Sequence, residues 1–588
     1  VLPSKALEQR LQTAVLAVLP EADVTTVLVR PCQDTKFGDY QTSALMALAK
    51  ARKMNPRQLA TDVLAKLDVS DLCAKTDIAG AGFLNFFLKP EVLQDTLLGA
   101  VQGKHLFFAK AEQPKTVVID FSSPNVAKPM HVGHIRSTIL GDSLARAFRL
   151  LGHNVITDNH IGDWGTQFGM LLLGWKTMLD KAALETDPIA ELERIYKQLS
   201  ADCKADESKL EAAKQELVKL QAGDEENLGI WREMIALSQN QFDTIYGRLG
   251  VKFDHVLGES FYNPRLKSVV EELKTKGIAK ESDGAICVFS DGSVPQKEDP
   301  FLIQRDGEWN ANPCLIQKSD GAANYATTDL ATLEYRLETW SPDKIIYVTD
   351  GRQQLHFRQV FSVFRRWRPE VKVQVEHVWF GAILGDDGKP FKTRSGDTVK
   401  LSDLLDEAEE RSFKTVNEKS ADLDEVTRKE IARVVGIGSV KYQDLMPNRQ
   451  SDYVFSWDKM LALNGNTAPY LLYAYTRIRS IFRKAAEQGV VVAPGATIHL
   501  KAADELALAK QLLNFGFVLE GLVDECRPNY MCNYLYDLAG LYARFFENCP
   551  VLKAEEPERS SRLLLCEVTA KVLKQGLEVL GIETTEKM

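Results

Sequence analysis

Hydrophobic positions along this chain change period from region to region, and each change marks a different kind of structure. Near the start, Leu7, Leu11, Ala14, Val15 and Val18 recur every three or four residues, the spacing of one helical face, with Glu8 and Arg10 between them. The run Leu11 to Leu19 is therefore read as an amphipathic helix and not as a secretion signal. A turn-like Lys36-Phe37-Gly38-Asp39-Tyr40 and the apolar run Gly82 to Leu88, closed by Pro90, complete a mixed segment. Beyond a boundary near Gln113-Pro114, Thr116-Val117-Val118-Ile119-Asp120-Phe121 reads as a buried strand. Ser122 to Met130 follows as a loop with two prolines, then His131 to Leu151 as a helix stopped by Gly152, then Asn154 to Thr157 as the next strand. Strand, helix, strand is one βαβ unit, the building block of a doubly wound parallel sheet.

Between about Leu172 and Leu249 the pattern turns charged and helical, with Leu192, Ile195, Tyr196 and Leu199 forming an apolar stripe. Short apolar runs return at Lys344 to Val348 and at His377 to Leu384, the second half of the sheet. From Ala462 to Met588 the reading is helical and rich in tyrosine, phenylalanine and arginine. The expected fold is thus multidomain α/β. It comprises an N-terminal α/β domain over 1–112, a Rossmann-type parallel-sheet domain over 113–461 with a helical insertion at about 172–249, and an all-α domain over 462–588.

Composition narrows the class. The 588 residues carry 81 acidic and 72 basic side chains, a formal charge of −9, and 45 % are hydrophobic, which disfavours disorder and a small binding module. Any field for nucleic acid must be local, because the whole chain is not basic. The nine cysteines include no CxxC pair, so neither zinc-ribbon nor thioredoxin spacing occurs and reduced thiols are expected. No uninterrupted apolar stretch approaches the roughly 20 residues that span a bilayer. A cytoplasmic protein without membrane association is the expectation.

The sharpest local signal is His131-Val132-Gly133-His134 at the entry to a helix, where free backbone N–H groups and the helix dipole favour phosphate. Two imidazoles one turn apart can donate hydrogen bonds to oxygens that gain charge in a transition state. The plain alternative is a helix cap with one core histidine. A Walker A loop is absent, since Gly385 to Thr393 lacks the G-x4-GK[ST] order. Lys389, Lys392 and Arg394, in the stretch Lys389 to Gly396, either close over a triphosphate or form a solvated basic turn.

The string Phe121-Ser122-Ser123-Pro124-Asn125-Val126-Ala127-Lys128-Pro129-Met130-His131-Val132-Gly133-His134-Ile135-Arg136-Ser137-Thr138 resembles the bacterial-type arginyl-tRNA synthetases, class I. So do Gly162 to Gly169, Tyr325 to Asp329, Gly385 to Gly396 and Asn466 to Tyr470, in order along the chain. The resemblance implies activation of L-arginine by ATP, as its Mg2+ complex, to arginyl-adenylate. Transfer to the terminal adenosine of tRNA(Arg) would follow, with no tightly bound cofactor, no metal site and a monomeric enzyme. His131 and His134 match the HIGH motif as catalytic residues; with Gly133 they would line the ATP site. Phe391 to Ser395 matches a degenerate KMSKS loop, giving Lys392, Arg394 and Ser395 roles at the nucleotide. The usual second lysine is missing, and Lys128, just upstream of the HIGH motif, matches the lysine that compensates for it.

A guanidinium presents its donors in a plane and calls for carboxylates and an aromatic or amide wall. By resemblance Asp120, Ser123, Asn125, Glu259, Tyr325, Asp329 and Gln353 match arginine-binding positions, with Asp329 the bidentate partner. Two plain alternatives stand beside this: Tyr325 and Asp329 as an ordinary helix pair, and Glu259 as a helix cap. Lysine, with no planar fork, would leave such acceptors unpaired. The C-terminal helices resemble an anticodon-binding domain, in which Tyr470, Tyr473, Arg477 and Tyr542 are the tRNA candidates, although an aromatic stripe also packs cores. The N-terminal unit would contact the outer corner of the tRNA. Two other readings stay open: a nucleotidylyltransferase of the same motif that uses no tRNA, and a synthetase-derived RNA-binding protein without catalysis.

Overall fold

The computed structural model describes residues 1–588. The chain divides into two compact units: Val1–Ala111 with Ser420–Val434 and Leu461–Met588, and Glu112–Lys419 with Val435–Met460. The two ends of the chain thus share one unit. In it the strands Arg30–Pro31, Tyr40–Thr42, Phe83–Leu88 and Cys73–Ala79 form an antiparallel sheet. The opening helix Pro3–Val18 buries Leu7, Leu11, Ala14 and Val15, the face its spacing predicts, whereas Val18 stays partly exposed. Helices from Ala468 to Val579 make a bundle, and Lys510 pairs with Asp39 of the N-terminal sheet segment. The run Ala503–Glu525 is long and apolar enough to cross a membrane by length and composition. Here it is two helices, broken at Asn514, with Leu508, Leu512, Phe515, Leu519 and Leu522 all 0 % exposed in the bundle.

The second unit is built on a four-stranded, wholly parallel sheet in the order Gln374–Phe380, Lys344–Asp350, Thr116–Asp120, Asn154–Asp158. The edge strand Gln374–Phe380 begins three residues before the expected His377 start: Gln374, Val375 and Glu376 pair with Lys344 to Ile346, and the apolar run is cut after Phe380. Ile383–Leu384 instead pairs with Tyr453–Val454. The helix Val132–Leu150 is buried nearly all round, and Gly141 lets it close on Phe121, where a Cβ would meet the ring at 2.2 Å. Helices from Gln167 to Leu249 form the insertion. Its helix Pro188–Ala205 buries Leu192, Ile195 and Leu199, but Tyr196 lies off that stripe and remains partly exposed. Short antiparallel strands between Lys280 and Gln317 are an addition that the sequence pattern leaves unmarked.

Candidate active site

The strand Thr116–Asp120 has Asn154–Asp158 on one side, reached directly through the histidine helix, and Lys344–Asp350 on the other. Its carboxyl end is therefore a topological switch point, the place where parallel sheets leave a crevice for ligands. The loop leaving it is strained. Ser122, Ser123 and Ala127 have φ of 75°, 50° and 65°, in the left-handed region that costs residues with side chains about 1 kcal/mol or more each. Buried partners hold that shape. The Ser122 N–H donates to Ser137 Oγ, its hydroxyl bonds Thr138 Oγ1 and Tyr246 OH, and the Ala127 N–H donates to Ser238 Oγ. Asn125 bridges Gly162, whose own N–H donates to the Pro124 carbonyl.

At the helix entry both histidine side chains cap backbone N–H groups of the first turn. Nδ1 of His131 accepts from the Gly133 N–H at 3.0 Å, and Nδ1 of His134 accepts from the His131 N–H at 3.1 Å. The rings lie 4.1 Å apart. Gly133 is needed less for an approaching ribose than for the His131 ring, since a Cβ there would sit 2.6 Å from Cε1. Burial pushes His134 down to about 3, helped by its neighbour His131, and burial next to Lys128 lowers His131 as well. Both imidazoles are then neutral, and because each Nδ1 accepts, each carries its proton on Nε2. The cap that was the plain alternative is real, and it is what sets the tautomer.

The basic loop is anchored to the same point. The Val132 N–H donates to the Val399 carbonyl, the Leu401 N–H to Met130, and His131 bridges Lys400. Phe391 stacks on Phe455 at 4.6 Å, and two successive turns, closed at Gly385–Lys389 and Thr393–Asp397, present Lys389, Lys392, Arg394 and Ser395 on an exposed hairpin. The Ser395 hydroxyl donates to Asp397. Lys128 lies 4.9 Å from the Tyr196 ring centroid. Arg136, 2 % exposed, holds the helix from behind through Asp444 and the carbonyls of Gly381 and Ser451.

The acidic candidates separate. Asp120 does not offer a free carboxylate: it is 5 % exposed, its Oδ2 accepts from Arg336 and its Oδ1 from Ser123 Oγ. In register beside it stands Asp158, which shares the same Arg336, so the strand end that promised a substrate contact is a closed ion triad. Asp329 lies on the helix Tyr325–Trp340, one turn from Tyr325, and its Oδ2 bonds Nε2 of His356. Glu259 opens a four-residue helix, but the cap is supplied by Asp163, which accepts from both N–H and Oγ of Ser260. That leaves Glu259 free of capping duty. Burial first, with the charges of Asp163 and Asp329 against His160, pushes it up to about 7. Tyr325 is 71 % exposed and Gln353 is also exposed, at the end of strand Lys344–Asp350. His356, His160 and Arg336 were not singled out in the sequence; His356 follows Gln353 by three residues, and that spacing is the one signal that could have drawn attention to it.

On the C-terminal helices, Tyr542 is a core residue: it is 1 % exposed with its hydroxyl against Cys566, so the expected tRNA contact there is corrected. A side chain pointing into the bundle cannot stack on a base. Tyr473 is 46 % exposed, and Arg477 lies over both it and Phe546 at 5.2 and 5.3 Å. Tyr470 packs edge-on against Tyr536 at 5.6 Å.

A parallel sheet with a histidine-capped helix at its switch point, and a basic hairpin tied to that helix, defines a class I aminoacyl-tRNA synthetase catalytic domain. Residues 96–457 match the family model described as tRNA synthetases class I (R), catalytic domain; 471–588 match the DALR anticodon binding domain, and 4–88 the arginyl tRNA synthetase N terminal domain. Among named relatives, the arginine–tRNA ligase of Klebsiella pneumoniae is 46 % identical over 589 residues and that of Marinomonas sp. 44 % over 587, each covering 99 % of both chains. The arginyl-tRNA synthetase structure of Plasmodium falciparum superposes with a TM-score of 0.81 at 29 % identity over 100 % of this chain and 99 % of that one. That of Thermus thermophilus, at 24 % identity and full coverage of both chains, shares the fold with a TM-score of 0.83. The chain belongs to the arginyl-tRNA synthetase family. It is an arginine–tRNA ligase, and it uses ATP.

Proposed function

We propose that the two HIGH-motif imidazoles act as neutral Nε2–H donors to the α-phosphate of ATP while the arginine carboxylate attacks it. The observation that carries this is the pair of backbone N–H bonds to their Nδ1 atoms, which leaves each neutral ring its proton on Nε2. Charge builds on the phosphate oxygens as the pentacovalent phosphorus forms, and preorganised donors stabilise it without reorganising. ATP enters as its Mg2+ complex, and Lys128, Lys392 and Arg394 neutralise the pyrophosphate as it leaves. Gly133 and Ser395 line the nucleotide. Asp329 meets the guanidinium with the carboxylate oxygen that His356 leaves open, Glu259 adds a second charge, and Tyr325 and Gln353 close the mouth. Ser123 and Asn125 face the amino and carboxylate end of arginine, with Asp120 orienting Ser123 from below.

The second step, transfer to the terminal adenosine of tRNA(Arg), follows from the ligase activity. Exposed Tyr473, with the partly exposed Arg477 and Tyr470, supplies an aromatic and cationic strip for unstacked anticodon-loop bases. The enzyme works as a monomer in the cytoplasm, its N-terminal segment touching the outer corner of the tRNA. The test of the donor role is the pH profile of arginine-dependent pyrophosphate exchange at saturating substrates. Neutral donors keep kcat flat between about pH 6 and 8, whereas cationic imidazoles would make it fall as they deprotonate near their ordinary value of about 6.5.

A further inference from the structure

We propose that Tyr196, on the insertion helix Pro188–Ala205, is a positioning residue that holds Lys128 ready for the triphosphate by a cation–π contact. Its ring centroid lies 4.9 Å from the Lys128 ammonium. Core packing does not account for the ring: Leu192, Ile195 and Leu199 form the buried face of that helix, and Tyr196 stands outside it, partly exposed. The neighbouring charges are already engaged. Glu193 pairs with Lys197 at 2.9 Å and approaches Lys400 at 4.0 Å, so the nearby carboxylate on this helix is occupied. Lys400 in turn bridges His131 through its backbone. The helix that carries the ring is therefore linked, through Glu193 and Lys400, to the hairpin base and to the helix entry at His131.

The physics favours a ring over a carboxylate at this place. A carboxylate would neutralise the lysine and have to be displaced when the phosphate arrives, whereas an aromatic face orients an ammonium through its quadrupole and leaves the charge intact. The hold is weak enough for phosphate to win. In a chain whose hairpin lacks the second lysine, Lys128 carries more of the triphosphate, and its placement before binding matters correspondingly more.

This inference rests on the reading of Lys128 as the triphosphate contact, and a double-mutant cycle in pyrophosphate exchange separates the two. Tyr196→Leu is expected to lower kcat/KM for ATP about three- to tenfold with KM for arginine within about twofold of wild type. Tyr196→Phe, which keeps the π face, restores kcat/KM for ATP to within about twofold, and Tyr196→Met supplies a second ring-free variant of similar bulk. In a Lys128→Ala background Tyr196→Leu adds no further loss. The inference is overturned if Leu matches wild type, if Phe is as damaged as Leu, or if the losses multiply. Lys128→Ala with unaltered kcat/KM for ATP overturns both readings, while a damaged Lys128→Ala beside a silent Tyr196→Leu overturns this one alone.

Discussion

The histidine side and the carboxylate side of the site are tuned in opposite directions by the same force. Burial lowers His134 to about 3 and so removes its charge throughout the neutral range. Burial raises Glu259 to about 7, which puts its charge at the mercy of pH and of whatever binds beside it. Both shifts disfavour the ionised form, as desolvation must. For the roles proposed above the consequences differ: a phosphate needs donors that stay constant, while a guanidinium brings its own positive charge, whose field makes a neighbouring acid release its proton to solvent as it docks. The histidines are held by local backbone bonds within one turn; the acids Glu259 and Asp329 come from separate segments, brought together only by the fold.

The contrast breaks most sharply at His134. His134→Ala removes the donor proposed for the reacting phosphate and is expected to lower exchange kcat by about a hundredfold, on the order of 3 kcal/mol, with tRNA affinity unaltered; His134→Asn, which keeps an N–H, should recover part of the loss. Single-turnover adenylate formation and tRNA filter binding check this. On the other side, Asp329→Asn is expected to raise KM for arginine by about a hundredfold with a smaller change in kcat, since it removes the charged acceptor proposed for the guanidinium.

Varying pH sharpens the comparison at a smaller scale. Ionised Glu259 and unprotonated His356 both favour arginine, because a protonated His356, whose pKa the Asp329 hydrogen bond and charge raise against burial, competes for Asp329. Arginine affinity, read by calorimetry, should rise about tenfold from pH 6 to pH 8, and Glu259→Gln should flatten that slope. Stability runs the other way. A carboxyl whose folded-state pKa lies above its unfolded value of about 4.5 stabilises the fold below that value and loses the contribution as pH rises through 7. Glu259→Gln is therefore expected to be more stable than wild type at pH 8, by on the order of 2 kcal/mol, and not at pH 4. The smallest effect is on tRNA: Tyr473→Ala should raise KM for tRNA about fivefold, while Tyr542→Phe, inside the bundle, should not move it.

Legibility in the sequence followed locality. The strand Thr116–Asp120, the loop after it and the histidine helix are contiguous, so the pattern and the chemistry could be read together, including Gly133 between the two imidazoles. Asp120 misled for the same reason: its place at a strand end is visible in one stretch, but Arg336 and Asp158, which close over it, are reached only through the sheet and a later helix. Tyr196 read as a fourth member of an apolar stripe because periodicity counts its ring as hydrophobic and cannot see Lys128 facing it. Tyr542 and Tyr473 share a composition signal and differ only in which side of a helix the bundle covers.

The order of hydrophobic and polar residues by itself determined the helices, the parallel strands, the histidine-capped helix entry and the residue types available to it, because those depend on neighbours a few positions away. The tertiary structure alone decided which carboxylates stay open and which are sealed, where Glu259 titrates, and which ring meets Lys128. Those properties depend on distance through space and on the dielectric around each group, and neither is fixed until segments far apart in the chain have packed.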